Sequence, residues 1–143
     1  MHLHCYSWTG AGDDLRREGE RRPPLPPGDL AAFRASPLPP MRTCDWLLKP
    51  ATRIDTSPPT VTEAQTWLAD RYGTAEPSFL HPADEARIGL DLRLKIAEES
   101  LAGGTDVLWG IWLKAGGFIC LVVVCCSPNR HADYPCPCRL TSP

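Results

Sequence analysis

The sequence predicts a small α+β domain, two helices packed on a two-stranded antiparallel β-hairpin, preceded by a disordered Pro/Arg-rich N-terminal arm. Three observations lead there. Residues 106–126, DVLWGIWLKAGGFICLVVVCC, alternate and turn as an apolar hairpin does, and the stretch from 60 to 102 carries two helical stripes. Residues 1–40, by contrast, hold seven of the sixteen prolines and almost no apolar periodicity.

A chain of 143 residues has room for one hydrophobic core. Its formal charge of −2 gives no overall basic field to steer it toward phosphate, so nucleic acid is not an expected partner. The first forty residues carry five arginines and five acids in runs such as DDLRREGERRPPLPP. Little apolar area is available there to offset an ordering cost of roughly 1–2 kcal/mol per residue. Residues 1–40 therefore read as a disordered arm, or as an extension upstream of a true start at Met41. Pro23–Pro27, PPLPP, also has the composition of a polyproline II ligand. The opening MHLHCYSWTGAGDD lacks the basic region and apolar run of a secretory signal, which places the expected compartment in the cytoplasm.

Organisation is expected from residue 41 to 143. Asp45–Lys49 is an apolar turn ended by Pro50, and Ser57-Pro58-Pro59-Thr60 forces an extended linker. Thr60 or Thr62 caps a helix with Glu63 in its first turn; Ala64, Trp67, Leu68 and Tyr72 follow at helical spacing, and Gly73 stops it. Residues 83–102 satisfy two periods. Ile88, Leu90, Leu92, Leu94 and Ile96 alternate as a strand would, whereas Ala86, Leu90, Leu94, Ala97 and Leu101 form a longer helical stripe. Length and strong helix formers favour the helix, with Asp84 and Glu85 at its start and Gly103-Gly104 at its end. Ile88, Leu92 and Ile96 then make a second ridge, so this helix is expected to be buried on two sides.

In the hairpin, Val107, Trp109, Ile111 and Leu113 share one face, Leu108 and Trp112 the other, and the return strand Phe118–Cys126 is apolar on both. Lys114-Ala115-Gly116-Gly117 supplies residues that tolerate positive φ. Two such strands cannot stand alone in water. Either helices cover one face and a second subunit the other, or the sheet continues across a homodimer. A single membrane span through residues 107–126 is the competing reading; Lys114 at its centre, at a cost of roughly 2.5–3.5 kcal/mol, and two adjacent glycines argue against it.

Thiol chemistry concentrates at the C-terminal end. Adjacent strand residues point to opposite faces, so Cys125 and Cys126 cannot both reach one ion unless the strand has ended. Cys126 with His131, Cys136 and Cys138 makes a Cys3His set for zinc, although the spacing departs from the usual chelating pairs. A disulfide from Cys125 or Cys126 to Cys136 or Cys138 is an alternative, disfavoured in a reducing compartment. The plainest reading leaves the thiols as small core residues, with no cofactor required. A cysteine nucleophile with His131 and Asp133 has no oxyanion hole to serve it, and His2 and His4 fall in the arm. No catalytic residue is assigned.

The run LAGGTDVLWGIWLKAGGFICLVVVCCSPNRHADYPCPC, residues 101–138, resembles the C-terminal half of small uncharacterised actinobacterial proteins with a helix, a Gly-Thr-Asp step, a hairpin and a Cys-Pro-rich end. The resemblance implies a bacterial cytoplasmic protein of about one hundred residues, agrees with Met41 as the start, and carries no activity. The expected function is that of a non-enzymatic accessory or regulatory protein working through contacts with a protein partner or with itself. A metal-stabilised nucleic-acid-binding module using Arg130 and Arg139 is the alternative from another class.

Overall fold

Three antiparallel strands form the centre of the molecule, in the order β1 (His2–Ala11), β3 (Gly117–Ser127), β2 (Val107–Trp112). The computed structural model describes residues 2–25, 28–127, 134, 136 and 137. The fold is mixed α+β as expected, but the hairpin is two strands of a three-stranded sheet, and more helical elements than two surround it.

The largest correction concerns the N-terminal segment, which was expected to be disordered. His2–Ala11 pairs with β3 along its whole length, from His2 opposite Ser127 to Ala11 opposite Gly117. Leu3 and Cys5 point to one face of the sheet; His4, Tyr6 and Trp8 point to the other, and all five are buried. A strand covered on both sides lacks the apolar/polar alternation that marks a half-exposed one. Its free edge is closed by residues 55 and 56: Cys5 N–H donates to Thr56 O and Asp55 N–H to Cys5 O, both at 2.8 Å.

One face of the sheet carries the helices. α1 (Ala31–Ala35) is a short turn elsewhere; α2 (Val61–Ala75), α3 (Pro82–Ile88) and α4 (Leu90–Ala102) follow. Thr60 caps α2, its Oγ1 accepting from Glu63 N–H, and Ala64, Trp67, Leu68 and Tyr72 form its buried stripe. Gly73 does not stop this helix, which runs two residues further. The single helix expected over 83–102 is broken at Gly89, whose φ of 81° only glycine adopts without strain. Arg93 rejoins the pieces through paired bonds to Glu85, which also accepts from Tyr72 Oη. Ala97 and Leu101 enter the core, whereas Ile88, Leu92 and Ile96 remain about half exposed; the second ridge is not buried among the described residues.

The other face, expected to lie under a second subunit unless the sheet continued across a dimer, is covered by the chain's own irregular layer. Trp46 and Leu47 from the short 3-10 helix Thr43–Leu48, with Leu38, pack on Tyr6, Trp8, Cys120, Val122, Val124 and Cys126. Trp46 stacks on Tyr6 with ring centroids 4.7 Å apart. The turn read from Asp45–Lys49 is therefore a structural lid on the sheet. Beside it a cavity of about 750 Å³ is lined by Pro23, Pro24, Leu30, Met41, Arg42 and Tyr134 among others. Its buried acid, Asp45, already accepts from Arg42 and Tyr134, so the polar groups there serve one another.

Lys49 is buried in this layer, donating to Phe33 O at 2.6 Å and Ser36 O at 3.0 Å beneath the Phe33 ring. Burial, with the charge of Arg53 adding, lowers its pKa from 10.5 to about 8. Because the folded value lies below the unfolded one, the unfolded chain binds more protons between pH 8 and 10.5, and this group's contribution to stability rises with pH across that window. Urea melts of wild type and Lys49→Met at pH 7 and pH 10 should show the wild type gaining about 2–3 kcal/mol relative to the variant. A constant difference would mean that the ammonium is not desolvated.

The hairpin itself follows expectation. Val107, Trp109 and Ile111 are buried against the helices, while Leu108 and Trp112 face outward. Ala115 and Gly116 take the positive φ of the connection. Residues 107–126 thus turn at their midpoint, and no helix among the described residues is long and apolar enough to cross a membrane.

Candidate metal centre

Residues i and i+2 on a strand share a face, so the His2-Leu3-His4 run at the start of β1 puts two imidazoles side by side. Their ring centroids lie 4.6 Å apart. The sheet register slips at the same place. Leu3 pairs with Cys125 and His2 with Ser127, leaving Cys126 as an extra residue of a bulge. Cys126 accordingly lies on the face of His4, while Cys125 belongs to the helix-facing core, where its thiol lies 3.7 Å from Thr105 O. The opposed orientation expected of the two adjacent cysteines is therefore observed.

Cys136 completes the group from the C-terminal tail. Its Sγ lies 3.3 Å from His4 Nε2 and 3.1 Å from His2 Nδ1. One ligand atom from each of His2, His4, Cys126 and Cys136 falls within 4.8 Å of the other three, and all but His2 are buried. Zinc bonds of about 2.3 Å to sulfur and 2.0–2.1 Å to nitrogen put tetrahedral ligand atoms roughly 3.3–3.8 Å apart, so small side-chain adjustments close the set on an ion. Two thiolates and two neutral imidazoles balance the charge of a divalent cation. The soft sulfur and borderline nitrogen donors suit zinc over magnesium or calcium.

The second nitrogen of His4 is also held. Nδ1 lies 2.7 Å from Ser57 Oγ; in the tautomer that leaves Nε2 free to bind, Nδ1–H donates to the hydroxyl and fixes the ring. Burial, with the nearby charge of His2, lowers the His4 pKa from 6.5 to about 4, which keeps the imidazole in its ligating, neutral form at pH 7. Among the described residues no disulfide forms; Cys126 and Cys136 are both thiols.

Of the expected set of Cys126, His131, Cys136 and Cys138, the structure brings Cys126 and Cys136 together. His131 and Cys138 lie outside the described residues, as do Asp133, Arg130 and Arg139. The two histidines that join the group, His2 and His4, were set aside with the arm. An HxH run followed at once by aromatic and thiol residues in alternation was the available signal, since it reads as one strand face carrying two ligands.

Comparison with known proteins finds no family model, no curated protein and no solved structure that matches this chain, so its chemistry is read from these four side chains and their surroundings.

Proposed function

We propose that this chain is a small non-enzymatic binding domain whose two ends are fastened by a structural zinc ion. The observation that carries the reading is the convergence of His2, His4, Cys126 and Cys136 from the first strand, the central strand and the tail. Four protein donors fill a tetrahedral zinc and keep no position for water or substrate, which is the pattern of structural sites. The ion would link three segments far apart in sequence, and so restrict the unfolded chain as well as hold the folded one. Acidic groups outnumber basic ones, seventeen to fifteen, which favours a protein partner over nucleic acid.

Metal analysis of the full chain, purified without a histidine tag, tests this. One zinc per chain is expected, with a lowered melting temperature on adding chelator and recovery on adding zinc. Cobalt substitution should give the intense visible bands of a tetrahedral thiolate site. Less than about a tenth of an equivalent of zinc after refolding with the metal present, and no melting shift with chelator, would remove the proposal.

A further inference from the structure

Seven large apolar side chains remain exposed among the described residues. Leu80, Ile88, Leu92, Ile96 and Leu108 lie along α3, α4 and the β2 side of the sheet, whereas the Trp112 ring leans the other way, onto Phe118 and Gly12. Ile88, Ile96 and Leu108 line one groove of about 320 Å³ between α4 and β2, Leu92 precedes Ile96 by one helical turn, and Leu80 is bonded to Trp112. The strand at this edge is itself open. In the order β1-β3-β2, β2 pairs on one side only. Trp112 C=O points away from β3, accepting from Leu80 N–H at 3.0 Å, so the alternation of an antiparallel ladder turns the N–H and C=O of Leu108 and Gly110 outward too. The bridge between Phe79 and Leu113 closes the far end of this edge. Val107–Ile111 carries no charge or proline, and among the described residues no loop bonds to its outward edge.

We infer that a second copy of this chain covers this edge, joining two three-stranded sheets into one of six strands. A two-fold axis at Trp109 sets Leu108 of one copy opposite Gly110 of the other, and the reverse, so the outward N–H and C=O groups of both residues satisfy one another. The same axis brings the two helical layers together, with the Ile88, Leu92 and Ile96 ridge of each facing its twin. An isolated extended peptide would pair with the strand and leave Leu92 and Ile96 wet. The covering partner must present an open strand and an apolar helix ridge in the same relation, and two-fold symmetry lets this chain supply both. Five large aliphatic side chains, each about half exposed, offer on the order of 400 Å² of apolar surface, about half of the ~800 Å² per partner of a standard interface, and the paired strand backbones add to it. This inference is independent of the zinc site, which lies at the opposite edge strand.

Sedimentation velocity on the full zinc-loaded chain should give twice the 15.8 kDa chain mass across the micromolar range. The pair Leu92→Glu with Ile96→Glu, at exposed helix positions, should raise the dimer Kd roughly a hundredfold by setting like charges face to face, with the circular dichroism spectrum and zinc content unchanged. Leu108→Lys should do the same from the strand side. In the wild type, amide exchange at Leu108 and Gly110 should slow as concentration rises. A chain mass of one copy at every concentration overturns the inference, and so does a dimer that all these charges leave intact.

Discussion

Removing residues 1–40 is expected to abolish folding of the remainder. The deletion takes away β1 and with it Leu3, Cys5, Tyr6 and Trp8, which are buried on both faces of the sheet. At about 1.5–3 kcal/mol per large side chain, Leu3, Tyr6 and Trp8 alone withdraw on the order of 5–9 kcal/mol of burial, against a total stability of roughly 5–15 kcal/mol for a domain of this size. The loss also unpairs one whole side of β3, leaving an apolar nine-residue stretch from Phe118 to Cys126 as a bare edge. Trp46 loses its stacking partner and the irregular layer its floor. A chain from Met41 should accumulate as aggregate, or as a soluble species with no cooperative melt and no dispersed amide spectrum. Cooperative melting of residues 41–143 within a few degrees of the full chain would show that β1 is dispensable and would restore the reading of Met41 as the functional start.

Replacing a single metal ligand is the second large effect. Cys136→Ser, Cys126→Ser and His4→Ala should each lose bound zinc during dialysis and lower stability by about 3–4 kcal/mol in buffers holding zinc at 100–1,000 times the wild-type Kd, the amount that mass action supplies at such saturation. Cys125→Ala is the control. It changes the neighbouring thiol, which belongs to the opposite face beside Thr105, so zinc stoichiometry should stay at one while stability falls by only a cavity-sized amount. The wild type and the Cys125 variant should respond equally to chelator; the three ligand variants should not respond at all. Equal zinc retention in all four proteins would place the ion elsewhere. An intact mass lower by two hydrogens in metal-free wild type would instead report a Cys126–Cys136 disulfide.

The parts of the molecule that were legible are those where local period and tertiary burial coincide. The hairpin faces, the Thr60 cap, the α2 stripe and the Asp45–Leu48 turn all follow from spacing. The preference for helix over strand holds on both sides of the break at Gly89, because a run of thirteen residues from Leu90 with Leu, Lys, Ala and Glu outlasts a strand alternation. β1 was missed because its first half, Leu3–Tyr6, is buried on both faces and so shows no apolar/polar alternation, while its histidines and small polar residues carry no hydropathic signal. The candidate metal site was half legible. Cys126 and Cys136 stand out by composition, but their partners lie more than a hundred residues away.

Sequence alone determined that this chain is α+β, that residues 107–126 turn back at Lys114–Gly117, and that Cys125 and Cys126 point apart. Each is a property of neighbouring residues: side-chain alternation, turn chemistry, capping. Only the tertiary structure decided that His2 and His4 meet Cys126 and Cys136, that the chain covers its own sheet on the second face, and that Ile88, Leu92 and Ile96 stay uncovered. Those outcomes depend on which distant segments pair, and strand pairing between residues 2–11 and 117–127 is set by the burial it achieves, a quantity that no local window contains.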